Sequence, residues 1–142
     1  MGPYRRRSWV ACAALVLPLV AACGAPTDPY AGTVTKRQVV GHWNGDCGAT
    51  IDVAEDGTFR FDRFAYEFVD HGRDFRRLSG GGEWFLYEGV DGDAPESLDL
   101  KHKKGLYGLE FVRDGDGVGL GLRYVIDVDY EEDCVFSKKP TR

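Results

Sequence analysis

Methionine occurs once in this chain, histidine three times and cysteine four times. No segment repeats and no low-complexity tract is present. The N-terminal uncharged run, Trp9–Ala22, is shorter than the roughly 20 apolar residues that a spanning helix needs, and Pro18 interrupts it. These shortages exclude a coiled coil and a multi-span membrane protein. A length of 142 residues also leaves no room for a multi-domain enzyme or a dinucleotide-binding domain pair. What the chain does have is 19 glycines, 13% aromatic residues, 43% apolar residues and 29% charged residues. That composition fits one folded domain built on strands and turns.

The N-terminus has the features of an export signal. Arg5, Arg6 and Arg7 precede the uncharged run, which ends in Val20-Ala21-Ala22-Cys23 and Gly24. Basic residues, apolar run, small residues and cysteine in this order resemble the lipobox of bacterial lipoproteins. The resemblance implies diacylglyceryl modification of the Cys23 sulfur and cleavage before it; an ordinary signal peptide with an incidental cysteine is the other reading. The expected organisation is a signal peptide at 1–22, a lipidated cysteine and flexible tether at 23–35, and a folded domain at 36–142. The protein is then expected at the cell membrane, held at the extracytoplasmic face through the acylated Cys23. Cleavage removes three arginines and no acid, so the mature chain is more acidic than the whole sequence, whose net charge is −5. Such acidity argues against nucleic acid as a partner, since phosphates would be repelled. The anchor must instead come from the acyl chains.

Cys12 leaves with the signal and Cys23 carries lipid, which leaves Cys47 and Cys134. In an exported domain two remaining thiols default to a disulfide. A metal-binding or catalytic thiol is the alternative, and no cysteine or histidine lies at ligand spacing from either. No metal and no cofactor are expected.

From Val39 onward apolar residues alternate with polar ones and turn signals recur. Ile51 and Val53, then Phe59 and Phe61, flank Glu55-Asp56-Gly57. Trp84 and Leu86, Leu98 and Leu100, Leu106–Val112, the set Leu120, Leu122, Tyr124 and Ile126, and Cys134–Ser137 continue the pattern. This predicts an all-β domain: a single small antiparallel up-and-down barrel of about eight strands. One segment departs. Phe64, Phe68, His71, Phe75 and Leu78 are spaced four, three, four and three, so Ala65–Leu78 reads as a short helix or ordered loop across one end.

Val39-Val40-Gly41-His42-Trp43 is similar to the Gly-x-Trp opening of lipocalin-like barrels. With Asp56-Gly57-Thr58-Phe59, Gly82-Glu83-Trp84 and Cys134-Val135-Phe136-Ser137, residues 37–139 resemble a group of small bacterial lipoproteins of unknown function. The resemblance implies a barrel whose closed end is plugged by Trp43, and an anchor; it implies no ligand and no reaction.

Candidate chemistry is sparse. Ser79, Ser97 and Ser137 lie in no Gly-x-Ser-x-Gly turn, and His42, His71 and His102 are scattered. Asp91-Gly92-Asp93 and Asp114-Gly115-Asp116-Gly117 resemble fragments of calcium loops, and Asp127, Asp129, Glu131, Glu132 and Asp133 make an acidic run, but neither fragment supplies the full set of acids at loop spacing. The same residues serve ordinary turns. A basic cluster, Arg73, Arg76 and Arg77, sits beside Phe75 and could meet an anionic head group. Phe64, Phe68 and Phe75 are the expected lining of an entrance. Glycines at 80–82, Gly119 and Gly121 are expected to leave space there. The expected function is a membrane-anchored binding module for a small apolar or amphipathic ligand or an envelope protein. A barrel enzyme acting on envelope material and a structural or inhibitory envelope domain are the alternatives.

Overall fold

A computed structural model describes residues 28–70, 74–92, 94–115, 119–129 and 131–138, and the side chains of Phe68 and Asp70 lie outside that description. Cys23, the signal segment, His71 and Arg73 also lie outside the described residues. A single helical turn, α1 (Lys36–Val39), precedes eight strands. These are β1 (Gly41–Gly45), β2 (Thr50–Val53), β3 (Thr58–Asp70), β4 (Asp74–Tyr87), β5 (Ser97–His102), β6 (Gly105–Arg113), β7 (Leu120–Asp127) and β8 (Glu132–Ser137). Each pairs antiparallel with the next, and β8 returns to β1 through Asn44↔Ser137 and Gly45↔Phe136, so the sheet closes into an up-and-down barrel. Closure pairs every strand on both sides within the barrel, while β3 beyond Asp62 and β4 before Glu83 pair only with each other.

The inward face follows the period-two pattern. Ile51 and Val53 are buried around exposed Asp52, and Phe59 and Phe61 around exposed Arg60. Trp43, Leu98, Leu100, Leu109, Leu122 and Phe136 are fully buried and fill the middle. The Asp56-Gly57 turn forms as its residues require. Gly57 takes φ +86°, and the Asp56 carboxylate accepts from Thr58 N (2.9 Å) and Oγ1 (2.6 Å), bonds that hold its pKa below the usual range. Trp84 Nε1 donates to Ala54 O at 2.7 Å, fastening that turn to β4.

The described residues of Ala65–Leu78 form neither helix nor loop. They belong to the long β3–β4 hairpin, whose strands of 13 and 14 residues outrun all others. The helix-like spacing has a sheet origin. Register shifts fall between Phe61 and Phe64, Ala65 and Glu67, and Phe68 and Asp70, and Arg63 sits at φ 52° in the first of them. Each shift adds a residue to one strand and resets which side chains face inward, so a period of two reads locally as three. The inward set thereby passes from Phe59 and Phe61 to Phe64.

The glycines of β4 are occupied by neighbours rather than open. Gly80 and Gly82 pair with Phe61 and Phe59. A Cβ on Gly82 would lie 2.0 Å from Lys101 O and 3.1 Å from the Phe59 ring, and one on Gly80 would lie 2.9 Å from His102 Nε2. Only a residue without a side chain admits these approaches.

The meander places the β1–β2, β3–β4, β5–β6 and β7–β8 turns at one end of the barrel. At the opposite end lie the other turns and α1. That opposite end is capped: Val34 and Val39 are buried, and Trp43 Nε1 donates to Val39 O at 2.8 Å. Within the segment read as a tether, residues 28–35 dock on the barrel. Tyr30 N donates to Phe111 O at 3.1 Å and Arg113 N to Asp28 O at 2.9 Å, extending the sheet along β6.

Candidate functional site: the aromatic end of the barrel

The end opposite α1 carries an aromatic cluster drawn from five strands. Phe61 and Phe64 of β3 stack at 4.9 Å between centroids. Phe64 meets Tyr124 of β7 at 4.8 Å and Tyr107 of β6 at 5.4 Å. Tyr107 lies 6.1 Å from Tyr124 and 6.4 Å from Tyr66, and His102 of β5 lies 5.3 Å from Phe61. Phe136 of β8 stacks under Phe64 at 6.3 Å. Although they are not neighbours in the sheet, β3 and β7 touch, so the long hairpin leans across the barrel at this end.

The rings of Tyr66, Tyr107 and Tyr124 pack into this cluster, but their hydroxyls find no protein hydrogen-bond partner among the described residues. No buried side-chain N or O there lacks a partner, so these hydroxyls reach water. Burial raises the pKa of Tyr107, with Tyr66 adding to it; burial also raises Tyr124, with Tyr107 adding. Tyr107 and Tyr124 therefore remain neutral phenols at physiological pH and can donate or accept. His102 is buried, and that burial, followed by the nearby ammonium groups of Lys103 and Lys104, lowers its pKa. The imidazole is then neutral at pH 7. Its Nδ1 accepts from Lys104 N at 3.2 Å, which leaves the proton on Nε2, the nitrogen beside Gly80.

The residues singled out from sequence are distributed differently from expectation. Phe64 is fully buried and forms the floor of the cluster. Phe75 is half-buried beneath the Arg77 guanidinium, 6.0 Å from its ring centroid. Phe68 is opposite Phe75 by backbone register. Arg77 donates to Arg63 O (2.8 Å) and Cys47 O (2.9 Å), so it braces the hairpin against the β1–β2 turn. Arg76 pairs with Glu67 at 3.4 Å, both exposed, which contributes at most about 1 kcal/mol. Residues not selected as a site from sequence, namely Tyr66, His102, Lys103, Tyr107 and Tyr124, are those brought together at this end. The available signal was the alternation Tyr107-Leu109-Phe111, which puts Tyr107 on the inward face.

Cys47 and Cys134 are disulfide-bonded, with Cα atoms 5.4 Å apart. Asp46, Cys47 and Cys134 cluster within 4.8 Å, but bonded sulfurs are not thiolate ligands, and Asp46 Oδ1 already accepts from Val135 N at 3.0 Å. The described acids act in turns and ion pairs: Asp114 accepts from Gly115 N, Asp127 from Asp129 N, and Asp133 from Arg123 Nε at 2.7 Å. Ser79 and Ser97 hydrogen-bond to Asp62 and Asp99, both at 2.7 Å, and His42 pairs with Asp52 on the outer face at 2.5 Å. Neither of these two serines meets an imidazole. No protein-family model matches the chain, and no curated protein or solved structure is significantly similar to it.

Proposed function

We propose that this protein is an exported, lipid-anchored binding module that holds a small amphipathic ligand at the aromatic end of its barrel. The observation carrying this reading is the set of three tyrosine hydroxyls without protein partners among the described residues, beside the partly exposed rings of Tyr66 and Tyr124 that cover buried Phe61 and Phe64, at the end away from α1. An apolar surface with a few unsatisfied polar groups at its rim is how small-molecule sites are generally built. The filled middle of the barrel makes the site shallow: an acyl or aromatic group would lie against the rings of Tyr66 and Tyr124, not thread the barrel. The test is displacement of an environment-sensitive amphiphilic dye by a chain-length series of amphiphiles. Tyr66→Ala should weaken binding about tenfold, the scale of one lost aromatic contact plus its hydroxyl. If no amphiphile displaces the dye, the site reading fails.

The anchor is supported by Arg5–Arg7, the uncharged run and Val20-Ala21-Ala22-Cys23. The Cys47–Cys134 bond suits an oxidising, extracytoplasmic compartment. Cys23→Ser should abolish lipidation and leave the precursor uncleaved, as read by detergent partitioning and mass spectrometry. An unmodified mature N-terminus at any other residue would overturn the anchor. The filled interior also favours a second reading, a protein-facing structural or inhibitory domain, for which exposed Phe85, Tyr87 and Leu106 on the outer wall would supply the contact.

A further inference from the structure

The proposed site has a charge preference that the arginines of the hairpin do not provide. Arg77 spends its guanidinium on two backbone carbonyls and Arg76 faces Glu67. The β5–β6 turn is different. Lys103 and Lys104 are both exposed, and neither forms an ion pair among the described residues. Lys104 N donates to His102 Nδ1 at 3.2 Å, and that imidazole packs 5.3 Å from the Phe61 ring, so the turn carrying both lysines is held against the aromatic cluster. The turn also carries the Tyr107 hydroxyl. A Cβ on Gly105, at the first position of β6, would lie 3.5 Å from that oxygen, so the phenol tip reaches the level of the turn. Lys101 stands exposed on the same strand end.

From these placements we infer that the β5–β6 turn, through Lys103, Lys104 and the Tyr107 hydroxyl, receives the anionic head group of an amphiphile whose apolar part lies on the partly exposed rings of Tyr66 and Tyr124. This rests on the binding reading above and names the ligand's charge. The domain is acidic overall, with a net charge of −5 for the whole sequence. The unpaired lysines therefore form a local exception and select against cationic amphiphiles. The acidic β7–β8 turn, with Asp129, Glu131 and Glu132, is the next turn along the same end and repels an anion on that side. An anion is thereby directed to β5–β6. The hydroxyl contributes a neutral donor, and the lysines contribute charge without fixed geometry.

The experiment uses the full-length chain carrying Cys23→Ser, so that no attached lipid competes. Three amphiphiles of one chain length are titrated below their critical micelle concentrations: a fatty acid, the corresponding alcohol and the corresponding trimethylammonium cation. The expected order of affinity is acid, then alcohol, then cation, with the acid's advantage shrinking as salt is added. Replacing both turn lysines, K103Q with K104Q, should weaken acid binding roughly three- to tenfold, the range for two exposed ion pairs, and leave the alcohol unchanged. The unchanged alcohol also reports that the variant is folded. R76Q should leave the acid's affinity within about twofold, because an exposed pair with Glu67 contributes little. Equal binding of acid and alcohol, both weakened by Y66A, would overturn the head-group assignment and leave the site standing. Loss of the acid's advantage in R76Q but not in the lysine variant would overturn it too. Binding by none of the three would remove both readings.

Discussion

Trp43→Ala should lower the free energy of unfolding by about 3–5 kcal/mol, the cost of deleting a fully buried indole from a packed core. That is a large fraction of the 5–15 kcal/mol typical of a small domain. Three features put Trp43 at the upper part of the range. Its side chain is fully buried against the cap formed by Val39. Its Nε1 donates to Val39 O, so removal orphans a carbonyl at the end of α1. Above the ring, Lys138 Nζ lies 5.1 Å from the centroid and donates to Val40 O at 2.7 Å, which joins the last strand to the first through a cation held over the indole. Burial lowers the Lys138 pKa, as expected for an ammonium drawn against apolar surface. Trp43→Phe retains much of the volume but drops the donor, and should cost less than the alanine variant. Urea titration followed by circular dichroism measures both. A near-wild-type midpoint for Trp43→Ala would show that the cap does not depend on the indole.

The second large effect is expected from the disulfide. The seam between β1 and β8 is the shortest in the barrel, with only Asn44↔Ser137 and Gly45↔Phe136 in register. Asp46 N adds a bond to Val135 O at 2.9 Å. The Cys47–Cys134 bond spans 87 positions across that seam. In the chain-entropy account, a loop of that size contributes about 4–5 kcal/mol by restricting the unfolded chain. Reduction, or the Cys47→Ala/Cys134→Ala variant, should lower stability by about 4 kcal/mol. Because Cys47 O also accepts from Arg77, loosening this turn should release one brace of the β3–β4 hairpin. Denaturation with and without reductant gives the magnitude, and non-reducing peptide mapping gives the connectivity. Two alkylatable thiols at Cys47 and Cys134 in the unreduced protein would contradict the bond.

Much of the barrel was legible in the residues. Ile51-Asp52-Val53, Phe59-Arg60-Phe61 and Leu98-Asp99-Leu100 alternate as strands with one face inward, and Asp56-Gly57 marks a turn that the structure contains. Asp99 is the exception to outward exposure: it is buried and holds Ser97 Oγ. The expected core residues Leu86 and Tyr124 are only partly buried, because they lie toward the two ends, where inward side chains meet less of the barrel. The segment 65–78 was not legible. Periodicity reports the face of a strand only while its register is unbroken, and three shifts in the β3–β4 ladder broke it.

The candidate site was hidden for a different reason. Tyr66, Tyr107 and Tyr124 are separated by long stretches of chain and come together only because β3 leans against β7 across the barrel. The arginines showed the converse. Arg73, Arg76 and Arg77 form a conspicuous cluster in sequence, yet nothing local shows that Arg77 will be taken up by the carbonyls of Arg63 and Cys47, the latter 30 positions away.

By itself the sequence determined the all-β class, the approximate strand count and the two cysteines that close the domain, because alternation and turn chemistry act between residues near in the chain. The tertiary structure alone decided which end is capped and, among the described residues, which cations remain unpaired and where hydroxyls stand without partners. Those properties depend on barrel closure and on the bulged register of β3–β4, which set residues far apart in sequence against one another.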